Sequence, residues 1–287
     1  MVLGTNVETS DIPQAARLDG QVAVVTGGGR GIGRAAAIRL AKAGASVVVT
    51  ARTVSEIEET ARRIRASGGS SKAFSADVSN WDAMVSLARE TAKTFGPADM
   101  VVVNAGVIEP VGDTWAVTAE DWGASIQVNL TGAFHTARAF LPAMVQRGKG
   151  VLIFTSSGAA THPVVGWSAY GAAKAGLDHF VRTLAAEIDE KGLSVRAYSL
   201  YPGVVDTAMQ VQIRTKSDDE FGRVDQFRAY HRRGVLRPPE EPAALIWWLA
   251  TPMAVEYHGQ SVSIDDRDIR RHLADDLGLT GIPGRGA

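Results

Sequence analysis

The run VAVVTGGGRGIGRAAAIRLAKAG (22–44), followed at once by SVVVT (46–50), constrains this chain more than any other feature. A β-branched strand, a glycine-rich turn, a helix and a second strand form a βαβ unit of about thirty residues. Such a crossover is how two neighbouring parallel strands are joined. Glycines at 27, 31 and 33 keep the turn tight and let the backbone come close to a ligand. The helix that follows offers free N–H groups and a positive dipole end to a pyrophosphate. Glycines collect in loops generally; placed between a strand and a helix they mark a dinucleotide site.

The alternation continues along the chain. Further strand candidates are KAFSA (72–76), DMVVVN (99–104), GVLIFTS (150–156) and SVRAYSLY (194–201). Amphipathic stretches at 31–43, 53–67, 80–95, 118–147 and 168–190 lie between the strands. Strands such as SVVVT are nearly continuous in apolar residues, as expected where both sheet faces are covered. The pattern predicts an α/β fold: a single doubly wound parallel sheet of Rossmann type, helices on both faces, spanning 20–265. Residues 1–19 read as a polar N-terminal tail and 266–287 as a C-terminal tail whose short helix packs on a neighbouring subunit. The segment 207–235 is polar and breaks the alternation late; it reads as helical lid segments over a site, or else as a plain surface insertion.

Composition narrows the function classes. The 287 residues are 45% hydrophobic and 21% charged, with a formal net charge of −1. That balance offers nothing to nucleic acid or an anionic membrane surface. There is no cysteine, which excludes disulfides and thiolate chemistry. No apolar run reaches membrane-spanning length, and the N-terminus lacks the basic start and apolar stretch of a signal peptide, so a cytoplasmic protein is expected. The six histidines form no ligand grouping, His162 and His179 falling on unrelated parts of the pattern; no metal is implied.

Two pairs of residues carry chemistry. In GWSAYGAAKAG (166–176), Tyr170 and Lys174 stand four apart and project side by side on a helix. An ammonium beside a phenol favours phenolate and lowers a pKa that starts near about 10, which would make a proton donor usable near neutral pH. At the end of the second strand an acidic residue would grip the ribose hydroxyls of NAD. Here VVVTART puts Ala51 in that place and Arg52 next, and Arg30 stands inside the glycine loop. Two guanidiniums suit a 2′-phosphate, so NADP(H) is expected in preference to NAD(H), which remains open.

With TGGGRGIG (26–33), NAG (104–106), SS (156–157) and YGAAK (170–174), the chain resembles the short-chain dehydrogenase/reductase family over roughly 20–265. The resemblance implies an oxidoreductase interconverting a ketone or dicarbonyl and a secondary alcohol by hydride transfer. Tyr170 is implied as general acid/base, and Lys174 as the group that tunes it and holds the nicotinamide ribose. Ser157, thirteen residues before the tyrosine, is implied as the hydroxyl on the substrate oxygen, with Ser156 open if the strand end is bulged. Asn129, in IQVNLTG, is implied as support for a water-linked proton path to the lysine. For the cofactor the resemblance implies Gly27, Arg30, Gly31, Ile32 and Gly33, then Arg52, Asp77 and Val78. Asn104, Ala105 and Gly106 follow, and then Pro202, Gly203, Val205 and Thr207. Family members pair through the helices at 118–147 and 168–190, so a homodimer or homotetramer is expected.

GVVDTAMQVQIR (203–214) is similar to the sepiapterin reductase and benzil reductase branch, whose members reduce ketones and vicinal dicarbonyls with NADPH. In sepiapterin reductases an aspartate near the last strand anchors the pterin. Here Ser263 takes that place, with Asp265 and Asp266 beyond, which favours a broader carbonyl substrate. The residues expected to line the substrate end are His162, Val164, Trp167, Met209 and Ile213, an apolar and aromatic set that fits a bulky ketone or alcohol. Two other readings stand beside this one: an alcohol dehydrogenase acting oxidatively, and a dinucleotide-binding sensor without catalysis.

Overall fold

The computed structural model describes residues 12–279. Seven strands form one sheet: β1 (Val22–Thr26), β2 (Ser46–Ala51), β3 (Ser71–Ser75), β4 (Met100–Val103), β5 (Lys149–Thr155), β6 (Ser194–Tyr201) and β7 (Ser261–Ser263). Their order is β3-β2-β1-β4-β5-β6-β7, and every pair is parallel. The order reverses between β1 and β4, and ligands of such sheets bind in the crevice beyond the strand ends at that point.

Alternation along the strands feeds two cores. Val25, Val49, Val102 and Ile153 face one side; Val24, Val48, Val101 and Leu152 face the other. The first side is covered by α1 (Gly31–Lys42), α2 (Val54–Ala66), α9 (Glu240–Ala250) and α10 (Arg267–Leu277). The second is covered by α3 (Trp81–Phe95), α5 (Gly132–Arg147) and α6 (Ser168–Glu190). The stretch 118–147 is not one uniform helix. It comprises α4 (Ala119–Ile126), a π-helical turn (Gln127–Thr131) and then α5. The polar segment 207–235 contains two short helices, α7 (Ala208–Arg214) and α8 (Val224–Arg232).

Further departures from the sequence reading centre on α9, and β7 has no counterpart among the strand candidates. EEPAALIWWLA is buried along its whole run from Glu241 to Ala250, so it has no amphipathic period to detect. Its two indoles hold the chain ends. Trp247 donates to the carbonyl of Ala16 (2.8 Å), and Trp248 donates to Asp276 in α10 (2.7 Å). The N-terminal segment is therefore not a free tail from Ile12 onward: Ile12, Ala16 and Leu18 are core residues. Likewise α10 is no free tail: it buries Ile269, Leu273 and Leu277 against its own chain. The outer parts of both expected tails, 1–11 and 280–287, lie outside the described residues. No described helix is long and apolar enough to cross a membrane.

Candidate active site

The site is built from strand ends. Thr26, fully buried at the end of β1, accepts the backbone N–H groups of Asn104 (2.9 Å) and Ala105 (3.1 Å) beyond β4. Asn104 Nδ2 returns a bond to the Thr26 carbonyl (3.0 Å). The two loops flanking the reversal point are thus laced together. Gly27 has φ +63°, and a Cβ on it would sit 3.0 Å from the Ala105 Cα, so glycine is required there twice over. A Cβ on Gly33 would lie 2.3 Å from the Gly27 carbonyl oxygen. Gly33 therefore serves the packing of α1 on the turn. No side chain caps the N-terminus of α1, which leaves its first N–H groups to the space in front of it.

That space is a cavity of about 860 Å³, within the range of small-molecule sites. It runs from Gly27, Arg30, Gly31 and Ile32 past Arg52, Asp77 and Val78 to Asn104, Ala105 and Gly106. Ser157, Tyr170 and Lys174 also line it, as do Pro202, Gly203, Val205 and Thr207. His162, Val164, Trp167, Met209 and Ile213 line its outer part. Of the residues expected from sequence, only Gly33 and Asn129 do not line it.

Asn129 acts from behind the wall. The π-helical turn inserts an extra residue into the helix and turns this side chain inward, where it is 1% exposed. Its Oδ1 accepts the N–H of Val107 (3.0 Å), and its Nδ2 donates to the carbonyls of Val107 (2.9 Å) and Ser125 (3.0 Å). A Cβ on Gly106 would come 2.8 Å from Asn129 Oδ1 and 3.8 Å from Lys174 Nζ, so the glycine lies close to both the asparagine and the lysine.

Burial governs the ionisable pair. Lys174 Nζ donates to the Thr155 carbonyl at the end of β5 (2.7 Å) and stands 5.6 Å from the Tyr170 ring centroid. Desolvation lowers Lys174 to about 8, against the pull of Asp178. Tyr170 is raised above its ordinary value by burial, which outweighs an opposing hydrogen bond with Ser157. The expectation that the ammonium leaves the phenol more acidic is corrected here: desolvation of the phenolate is the larger effect. Ser157 is the serine in contact with Tyr170. Ser156 continues from β5 without a bulge, its N–H on the Leu200 carbonyl (2.8 Å), and its buried hydroxyl has no partner.

Arg52 follows β2 directly and lines the cavity. Burial works to raise Asp77, but hydrogen bonds from Ser79 and the charge of Arg52 leave it below its usual value. Arg30 has Glu56 3.9 Å away, and Glu56 also lines the cavity. At the outer end, Trp167 meets Tyr170 edge-on (5.5 Å), stacks on Phe221 (5.7 Å, 10°) and touches Phe227 of α8 (5.2 Å). Tyr170 of α6 and the late helices thus share one aromatic cluster. Ser263 and Asp265 reach the cavity, but Asp265 is paired with Arg237, and Asp266 caps α10.

Sequence reasoning missed Thr26, Thr155, Glu56, Tyr201 and Phe227. The two threonines end strands that run straight into recognised motifs, which was a usable signal. Glu56, Tyr201 and Phe227 reach the cavity only through tertiary packing, and no local pattern marks them.

Comparison with known proteins agrees with this geometry. The sequence model of the family described as short chain dehydrogenase matches residues 21–218. A 3-oxoacyl-[acyl-carrier-protein] reductase of Synechocystis sp. is 36% identical over 252 residues, covering 86% of this chain and 96% of the relative. An uncharacterized NAD-dependent oxidoreductase of Mycobacterium tuberculosis is 33% identical over 267 residues, covering 86% and 95%. The crystal structure of a candidate NAD(P) dependent gluconate 5-dehydrogenase from Beutenbergia cavernae, with NADP bound at low occupancy, superimposes with a TM-score of 0.78 at 33% identity, covering 87% of this chain and 97% of that one. The chain belongs to the short-chain dehydrogenase family and is an oxidoreductase of that family.

Proposed function

We propose that this protein is an NADP-dependent carbonyl reductase that interconverts a ketone or dicarbonyl and a secondary alcohol. The observation that carries the reading is the meeting of Tyr170, Ser157 and Lys174 on one wall of the cavity that begins at the glycine loop. The donor set fits a dinucleotide: uncapped N–H groups of α1 for the pyrophosphate, Arg52 and Arg30 toward the ribose, and the Pro202–Gly203 turn at the far end.

The cofactor, when bound, supplies or accepts the hydride. The chain supplies orientation and a proton. Tyr170, raised by burial, holds its hydroxyl proton at neutral pH and can give it to an oxygen that becomes an alkoxide. Ser157 donates to the same oxygen as charge develops. Lys174, fixed on the Thr155 carbonyl, supplies a buried positive charge to the phenolate that remains. Asn129 keeps the Val107 backbone in place behind Gly106. The aromatic outer wall, Trp167 with Phe227, favours a bulky apolar carbonyl. Because neither Asp265 nor Asp266 is a free carboxylate, a pterin is disfavoured as substrate.

The test is turnover of a panel of ketones, dicarbonyls and secondary alcohols with both nicotinamide cofactors. NADPH is expected to support reduction at least about tenfold better than NADH. In Arg52→Asp that preference should vanish through weaker NADPH binding, with NADH binding retained. An NADH preference in the unaltered protein overturns the assignment.

A homodimer or homotetramer belongs to the same proposal. Trp122 on α4 and Phe134 on α5 are exposed at 36% and 47%, on helices through which pairing is expected. A single-subunit mass by light scattering counts against it.

A further inference from the structure

Helix α6 carries a third buried ionisable side chain that the reaction as described leaves unused. Asp178 lies one turn beyond Lys174 on the same face, and the two are 3% and 4% exposed. The hydroxyl of Tyr201, the last residue of β6 and part of the cavity wall, donates to Asp178 Oδ2. Asp178 Oδ1 has no hydrogen-bond partner. A buried carboxylate with an idle acceptor is costly, and a neutral side chain of similar size would pack α6 on β6 without that cost. Something nearby must offset it.

The surroundings identify the offsetting group. Lys174 faces Tyr170 and Asp178 from its own helix and the Thr155 carbonyl from β5. From the loop after β4 it faces Gly106, with Asn129 of the π-helical turn behind it. Tyr201 approaches Asp178 from β6, and Arg182 and Ser261 act on Tyr201 in turn. Among these groups Asp178 is the anion.

We propose that Asp178, fixed by Tyr201, is the counter-charge of Lys174 and a positioning residue of the reaction: it keeps the buried lysine an ammonium in the place where Tyr170 needs one. The inference rests on the roles given to Tyr170 and Lys174 above. Burial drives Lys174 toward its neutral form, and Asp178 is the group that opposes this. Without the carboxylate the lysine loses its proton at lower pH, so activity that needs the ammonium is lost from the alkaline side first.

The experiment measures kcat/KM for carbonyl reduction from pH 6 to 9.5, in parallel with acylation of Lys174 by acetic anhydride read by peptide mass spectrometry. In Asp178→Asn the alkaline limb and the acylation midpoint should move together to lower pH by about one unit. With Lys174 at about 8, that makes the loss roughly fivefold at pH 8, close to tenfold at pH 9.5 and small at pH 6. Asp178→Ser, which keeps a hydroxyl for Tyr201 and removes the charge, should shift both in the same way and serves if the asparagine variant does not fold. Asp178→Glu should return both toward the original values. Neutral variants that melt normally yet leave the limb and the acylation midpoint in place overturn the proposal. Acylation is read whether or not any carbonyl turns over, so failure of the oxidoreductase reading shows separately, as absent turnover with the acylation shift intact.

Discussion

Tyr170→Phe should lower carbonyl turnover by about a thousandfold while leaving NADPH affinity nearly unchanged. The phenyl ring keeps the edge-on contact with Trp167 and the packing against the late helices, because those contacts involve ring carbons. What disappears is the hydroxyl beside Ser157 that lines the cavity with its proton retained by burial. Ser157 cannot replace it. Its hydroxyl accepts the N–H of Ala159 (3.2 Å), and a serine's own pKa is too high for it to act as a general acid. Lys174 cannot replace it either, since its ammonium is engaged with the Thr155 carbonyl, 5.6 Å from the ring centroid. The measurement is single-turnover NADPH oxidation alongside NADPH titration by fluorescence. The loss should fall on kcat with little change in KM, the pattern of an interaction made in the transition state. Turnover within tenfold of the unaltered protein would remove Tyr170 from the proton step. Loss of NADPH binding would instead mean that the substitution disturbs the fold, and Ser157→Ala would then have to separate the two.

The sequence made the sheet legible because its physics is local. Apolar runs buried on both faces, glycines where the backbone must turn sharply, and amphipathic helices between them leave a periodic trace. The same holds for Tyr170 and Lys174, whose spacing of four is by itself enough to place them on one face of a helix. What the sequence hid depends on partners distant in the chain. The helix α9 is apolar all round and so reads as no helix in particular, although it anchors Ala16 and Asp276 through two indoles. The segment around Leu18 looks like a tail because its partners begin at Ala43 and in α9; its N–H meets the Ala43 carbonyl at 2.7 Å. The direction of the Tyr170 shift was hidden for a related reason. A neighbouring charge can be inferred from spacing, whereas desolvation depends on everything else that closes over the ring. Asn129 was assignable only by resemblance, and its actual partners, Val107 and Ser125, follow from a π-helical turn that no residue pattern announced.

Arg237→Ala should lower the unfolding midpoint by roughly 10 °C, from a loss of about 3–5 kcal/mol. Arg237 is 7% exposed and lies between the cavity-lining loop at 202–207 and α9. Its Nη1 donates to Glu241 Oε2 (2.6 Å), and its Nη2 donates to Asp265. Its backbone clamps the loop, with its N–H on the Val204 carbonyl (2.9 Å) and its carbonyl receiving the N–H of Asp206 (2.8 Å). Gly203 crosses directly over the guanidinium: a Cβ there would stand 3.0 Å from Arg237 Nε. Removing the side chain strands Glu241, 5% exposed, as a buried anion without its cation and leaves the loop lying over a void. Differential scanning calorimetry checks the shift, and a change below about 2 °C would show that Glu241 reaches water at little cost. The double variant Arg237→Met, Glu241→Leu separates the two contributions. With both charges gone and the volume kept, most of the lost stability should return, as for other buried pairs replaced by apolar residues. NADPH affinity should return with it only if the guanidinium matters to Pro202–Thr207 as filling rather than as charge. A stable double variant that still binds NADPH poorly would show that the pairing of Asp265 with Arg237 sets the height of the loop over the cavity floor, and would make this buried cation a determinant of cofactor seating as well as of stability.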